Sequence, residues 1–302
     1  MSQKQKVVFI FGIGRSGSTL LDFIIGSHSQ CFSLGEISKI SEIYQKTEVL
    51  GNEFWDQRFT PSEKKRFIAG ISNHRIHKFI PLRLERWIRE IMKRDQILHS
   101  YSQLLSKIDQ TILVDSSKYH SWVAQKITSS EFKRGLLDYR LIHVCRDGRS
   151  VMNSYLRRYP EIQPREFCYN WVKLKQEREQ LYATIPESHK MTVRYEELAS
   201  NPSIIIQSVC DFIGISYEPD MLEYWKHEHH QIAGSVGTKS SIEKYQKGKV
   251  GDDANSVHGD YYAKSKLEIK LDLRWRKELS EENRALFESI AGEENRGYEW
   301  ND

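Results

Sequence analysis

Only four cysteines occur among 302 residues, and none has a CxxC neighbour, so neither a disulfide framework nor a thiolate metal cage is available. Cys31, Cys145, Cys168 and Cys210 stand far apart and read as buried, reduced thiols of a cytoplasmic protein. Long apolar runs are lacking too. The first, Val7–Phe11, holds five residues after a polar start, against the roughly 20 that span a bilayer, and it is too short for the core of a cleaved leader. No membrane association is expected. Charge of one sign is also scarce: 45 Lys plus Arg against 41 Asp plus Glu leave a formal +4 and no dominant basic stripe. That argues against a nucleic-acid partner and suits a local pocket for an anionic ligand. The HExxH zinc pattern is missing; His227-Glu228-His229-His230 lacks that spacing and has no cysteine nearby, so no metal is expected.

What is present alternates between short apolar runs and helical patterns. Val7–Phe11, Ile112–Val114, Arg140–Cys145 and Lys190–Arg194 read as buried strands. Ser18–Ile25, Ser121–Thr128, Ser150–Arg158, Pro164–Tyr182 and Pro202–Ile213 read as helices, and Ser280-Glu281-Glu282 opens another. Alternation of this kind implies an α/β fold, a three-layer arrangement in which helices flank a central parallel sheet. One domain over residues 1–302 accommodates it. Residues 52–109, polar and helical, interrupt the pattern and read as an insertion after the first strand. Residues 234–266, rich in Gly, Lys and Ser, read as a lid or flexible loop.

The first strand runs into Gly12-Ile13-Gly14-Arg15-Ser16-Gly17-Ser18-Thr19, the glycine spacing of a P-loop. Such a loop turns backbone N–H groups inward at a helix N-terminus and attracts an anion. Ser18 stands where nucleotide hydrolysis needs Lys, which weighs against the rival reading of a small-molecule kinase or NTPase. Arg15 offers a planar fork to an anionic oxygen pair instead.

Arg15-Ser16-Gly17-Ser18-Thr19-Leu20-Leu21 after a first strand resembles the 5′-phosphosulfate loop of the sulfotransferases that use 3′-phosphoadenosine-5′-phosphosulfate (PAPS). Val144-Cys145-Arg146, continuing to Ser154, is similar to the family's 3′-phosphate motif, an Arg and a Ser eight residues apart on a strand–turn–helix. Taken alone, Arg146-Asp147 also reads as an ion pair capping a helix. Val193-Arg194-Tyr195, continuing to Pro202, resembles the segment whose Tyr lies against adenine. The likeness covers residues 7–215 and returns at Leu273–Ser280. It implies a P-loop-type fold, PAPS as co-substrate, and Gly14, Arg15, Ser16, Gly17, Ser18, Thr19, Arg146, Ser154 and Tyr195 as its binding residues. His230 to Gly234 looks like the family's approach to the 3′-phosphate; the Arg that often follows is replaced by a stretch ending in Lys239, to which that role would fall.

Sulfuryl transfer has to deprotonate the acceptor, hold the SO3 group in line and stabilise charge on the leaving phosphate. Glu36, in Gly35-Glu36, is the candidate base, as the resemblance to the protein-tyrosine and carbohydrate branches implies; partial burial would have to raise its pKa for the task. Lys118, in Asp115-Ser116-Ser117-Lys118, resembles the Lys-bearing turn of bacterial members and would act on the leaving oxygen, with Arg15 beside it. Should the base be a histidine, His28, His120 and His143 are the alternatives, in that order. The acceptor implied is a small molecule, a natural product or a sugar. A nucleotide-binding protein of the same fold without activity is the remaining alternative.

Overall fold

The computed structural model describes residues 4–71, 99–234, 242, 245, 246 and 267–301. Strand β1 (Lys6–Gly12) is buried from end to end because it lies at the centre of the sheet. Around it stand β2 (Cys31–Gly35), β3 (Ile112–Lys118), β4 (Asp138–Cys145) and β5 (Lys190–Arg194), in the order β2-β3-β1-β4-β5. All four pairings are parallel, so every strand points its carboxyl end at the same edge. In open parallel sheets ligands bind at that edge, where connections leave in opposite directions.

The helices that bear on the site are α1 (Ser18–Gly26), α2 (Ile40–Thr47), α3 (Pro61–Ile71), α4 (Ser100–Leu105), α5 (His120–Ile127), α6 (Gly148–Arg158), α7 (Pro164–Ala183), α8 (Tyr195–Ser200), α9 (Pro202–Ile213) and α10 (Glu281–Asn295). Side chains alternate across β1 with the period of two that a strand imposes. Val8 and Ile10 pack with Leu21, Ile24 and Ile25 of α1 and with Ile206, Val209 and Ile213 of α9. Val7, Phe9 and Phe11 face the other way, onto Phe67 of α3, Tyr101 and Leu104 of α4 and Val123 of α5. Phe9 meets Tyr101 edge-on at 5.7 Å. Truncating such a fully buried Phe costs about 3–5 kcal/mol. A third cluster joins α6, α7 and α10 through Val151, Trp171 and Phe287.

Three expectations need correction. Cys31–Gly35 is a strand that its five mixed residues did not announce, so the 52–109 insertion follows the second strand, not the first. The described part of that insertion is also less polar in effect than in composition: Trp55, Phe59, Phe67 and Ile71 are buried in the core. Finally, β3 does not stop at Val114. Asp115, Ser116 and Ser117 continue it fully buried, each held by hydrogen bonds, and Lys118 is its last residue. Most of 234–266 and residues 72–98 of the insertion lie outside the described residues, as does Lys239.

Candidate active site

β1 ends at Gly12, and the chain turns through Ile13–Gly17 before α1 begins at Ser18. Two residues of the turn are left-handed, Arg15 at φ 68° and Gly17 at φ 91°. Only glycine fits the second, since a Cβ there would lie 2.6 Å from the Tyr195 ring. Arg15, a non-glycine residue at positive φ, carries local strain of order 1–3 kcal/mol, a kind that collects at functional loops. No side chain caps the N-terminus of α1, so its first N–H groups open onto the turn. Behind the loop, a small void of about 10 Å³ among Ile13, Ser16, Arg146 and Trp171 has room for about one water.

Arg146 comes from the end of β4 and is 7% exposed. Its Nη1 donates to the Arg15 carbonyl at 3.1 Å and its Nη2 to the Asp272 carbonyl at 3.0 Å, while the Asp272 carboxylate lies 3.4 Å away. Among the described residues, its buried Nε has no hydrogen-bond partner. The guanidinium rests on the Tyr195 ring, 4.2 Å from its centroid. The fold therefore gathers Arg15, Gly17, Arg146 and Tyr195 at one place. It assigns Tyr195 differently from expectation, however. That ring is 8% exposed, backed by Gly17 and covered by Arg146, and its hydroxyl donates to the Lys270 carbonyl at 3.0 Å. It supports Arg146 rather than offering an open face for stacking.

The neighbouring Asp147 does not pair with Arg146. It is fully buried at the start of α6, where it accepts from the Arg149 backbone N–H at 2.9 Å and forms an ion pair with the Arg149 guanidinium at 2.6 Å. Ser150, in the first turn of α6, donates to the same Asp272 carbonyl as Arg146, at 3.4 Å. Ser150 was not anticipated, although a serine four residues after the Arg is a readable signal. Ser154 is half-buried one turn further on.

Across β1, the ends of β2 and β3 build a different constellation. Gly35, at φ 66°, lets β2 approach Ala233, where a Cβ would meet the Ala233 carbonyl at 2.0 Å. The Glu36 N–H then donates to that carbonyl at 2.7 Å. Glu36 is 6% exposed, and its side chain lies between two ammonium groups: Lys118 donates to Oε1 at 2.5 Å, and Lys39 pairs with Oε2. Burial alone would push this carboxyl up, as anticipated. The two lysines outweigh burial and hold it below the ordinary carboxylate value. Lys118 is itself left-handed, at φ 69°, and the register slips where β3 passes Phe9 to Phe11, an irregularity that re-aims strand ends.

Two buried carboxyls brace this corner. Asp115 accepts from Tyr101 Oη at 2.6 Å, Trp122 Nε1 at 2.8 Å and the Ser117 N–H at 2.9 Å. Ser117 Oγ in turn accepts from the Ser38 N–H at 3.0 Å, fixing the turn that carries Glu36 and Lys39. Asp22 of α1 accepts from Ser33 of β2, Ser116 of β3 and Gln231, at 2.9, 2.9 and 2.6 Å. Burial pushes the Asp22 pKa up to about 7 despite those donors. Beside Lys39 an open groove of about 790 Å³ is lined by Ser38, Lys39, Glu42, Tyr119, Trp122 and Gln125.

The histidines are placed otherwise than their order suggested. His28 is buried beyond the far end of α1, with Nε2 2.8 Å from the Ser216 carbonyl. His143 packs on Phe11 within the core, where burial pushes its pKa down to about 4. It also lines the void behind the loop with Ser16 and Arg146. His120, two residues after Lys118, lies 3.7 Å from Glu177. The His227–His230 side chains diverge: His227 approaches Asp220, His229 contacts the Tyr224 carbonyl at 2.7 Å, and His230 stacks on Phe54 at 3.9 Å. This segment runs along the outer edge of β2 through the Gly35–Ala233 bridge. Three strand spacings, about 14 Å, separate β2 from β4, so His230, beyond the outer edge of β2, lies far from Arg146. Among the described residues, no three His, Cys, Asp or Glu side chains are grouped to hold a metal, and no helix is long and apolar enough to cross a membrane.

Residues 7–219 match the family model described as "Sulfotransferase family". An uncharacterised protein of Aquifex aeolicus (strain VF5) is 23% identical over 270 residues, which cover 80% of this chain; the chain spans 31% of that relative's length. Two solved structures share the fold. The sulfotransferase domain from the curacin biosynthetic pathway superposes with a TM-score of 0.51 at 19% identity, covering 99% of this chain and 100% of that one. The sulfotransferase domain from the Synechococcus PCC 7002 olefin synthase gives 0.50 at 17% identity, covering 90% and 98%.

Proposed function

The chain belongs to the sulfotransferase family, and on that premise we propose that it transfers a sulfuryl group from PAPS to a hydroxyl or amine of a small-molecule acceptor. The observation that carries the reading is the juxtaposition along one sheet edge of an anion loop without the kinase Lys, a buried Arg146 with an unpartnered Nε, and the Glu36–Lys118 pair. In this reading the N–H groups of residues 14–19 and the Arg15 fork hold the 5′-phosphosulfate. Arg146 holds the 3′-phosphate, with Ser150 and Ser154 on the facing helix, and Tyr195 keeps Arg146 in place. Lys239 is the proposed further basic contact.

Transfer is an in-line displacement. The acceptor oxygen or nitrogen forms a bond to sulfur while the bond from sulfur to the bridging phosphate oxygen breaks. Glu36 takes the acceptor proton, and the electron pair of the broken bond leaves with the bisphosphate, where Lys118 neutralises it. Lys118 serves both partners, so its turn from Glu36 toward the phosphosulfate strips the carboxylate of one cation and raises its basicity as the donor binds. Arg15, Arg146, Lys118 and the loop N–H groups supply the positive charge that a divalent ion brings in phosphoryl transfer.

The test is incubation with PAPS and pools of hydroxylated and amine-bearing compounds, with mass detection of an added sulfonate. Products that depend on PAPS and vanish in Glu36→Gln support the reading. Absence of transfer from PAPS to every pool, with nucleotide binding also absent, contradicts it.

A further inference from the structure

Glu36 has two cationic neighbours, yet the chemistry proposed above uses only one of them. Lys118 belongs to the donor. Lys39 stands on the opposite side of the carboxylate, three residues along the turn, and its side chain is 43% exposed. It lines the 790 Å³ groove, and Glu36 takes only one of the three donors its ammonium carries. One carboxylate between two ammonium groups leaves the corner with an excess of positive charge. The other charged residue of the described lining, Glu42, offsets it only in part: it attracts Lys39, but it is paired with Lys46 at 2.7 Å, and both side chains are about two-thirds exposed and screened by water. Next to Lys39 stands Tyr119, 51% exposed, a flat and partly apolar surface at the mouth of the same groove. Ser38 and Gln125 add hydrogen-bonding groups, and Trp122 closes the floor with its Nε1 committed to Asp115.

We propose, resting on the reading of Glu36 as base, that Lys39 is the acceptor-recognition residue and that the acceptor carries an anionic group close to the hydroxyl that is sulfated. An anion on Lys39 sits one ammonium away from Glu36, so a hydroxyl a few bonds from that anion lies at the carboxylate. The ring or chain of the acceptor lies over Tyr119. A neutral, wholly apolar acceptor would desolvate Lys39 without pairing it, which makes Lys39 a device of rejection as well as recognition.

The experiment uses compounds matched in shape and differing in one carboxylate: 4-nitrophenyl glucuronide against the glucoside, and 4-hydroxyphenylacetate against its amide. Each is titrated into protein saturated with the bisphosphate product, and each is assayed for transfer from PAPS. The expected result is a preference for the anionic member of about tenfold or more in affinity, the usual worth of a charge-assisted contact. In Lys39→Gln that preference should fall to within about twofold, while affinity for the bisphosphate is unchanged. Equal binding of both members, failure of every member to bind, or a preference that survives in Lys39→Gln overturns the proposal. Failure of the functional reading itself shows separately, as loss of bisphosphate binding in the wild-type chain.

Discussion

The two sides of the sheet edge are held by different means. On the β4 side, around Arg146, the framework is backbone: positive-φ turns, carbonyls of Arg15 and Asp272, and a helix N-terminus, with the guanidinium locked onto Tyr195. On the β2–β3 side, around Glu36, it is side chains from five separate stretches, joined through Asp115, Ser117 and Asp22. The first arrangement suits a constant ligand bound by phosphate geometry. The second is a charge balance among Glu36, Lys39 and Lys118 that a single substitution shifts. The rigid framework and the adjustable charge balance thus stand on either side of β1 in one sheet.

Substitutions that separate the two sides sharpen that comparison. The largest effect is expected from Glu36→Gln, which keeps shape but removes the proposed base. Turnover should fall about 100- to 10,000-fold, with affinity for the bisphosphate product unchanged by calorimetry. Near-full turnover would place the base elsewhere, and His120 would be the next residue to replace. Arg146→Ala should do the reverse, weakening bisphosphate binding about 10- to 150-fold, as expected for a charge-assisted contact to phosphate, while turnover at saturating PAPS changes much less. A loss confined to turnover would erase the division of labour.

A smaller effect should follow at Asp272. Its carboxylate is held at a pKa of about 2 although burial opposes ionisation, because Arg274 and Arg146 flank it; on the proposed reading it competes for Arg146 with the 3′-phosphate. Asp272→Asn should therefore tighten bisphosphate binding, by less than about tenfold. Weaker binding would show that Asp272 positions Arg146 and does not compete for it.

The smallest change is one of pH. Lysines hold the Glu36 carboxyl below its ordinary value, so it is ionised at neutral pH and the acid limb of the rate profile lies low. Removing a neighbouring cation destabilises the carboxylate and raises its pKa, so in Lys39→Gln the acid limb of kcat/KM should move to higher pH. An unmoved limb would mean that the titrating group is not Glu36.

How much of this was readable beforehand follows the same division. The loop, Arg146 and the other four strands carry local signals: glycine at fixed spacing, β-branched runs, an Arg at a strand end. Glu36 and Lys118 could be named one by one, but nothing in sequence says that residues 82 positions apart share a hydrogen bond. Strand β2 was missed because Ser33 and Gly35 interrupt its apolar residues, and with it went the true place of the insertion. The reversed effect on Glu36 has the same origin. Burial was foreseeable from the fold class, whereas Lys39 becomes a partner only once the turn after Gly35 has been fixed through Ser117.

The most direct measurement is a calorimetric titration of the chain with 3′-phosphoadenosine-5′-phosphate and, separately, with ATP. A loop without its kinase Lys, beside an Arg146 whose buried Nε awaits an acceptor, predicts tighter binding of the bisphosphate, with the difference abolished in Arg146→Ala. Equal or tighter binding of ATP by the wild-type chain would contradict the account.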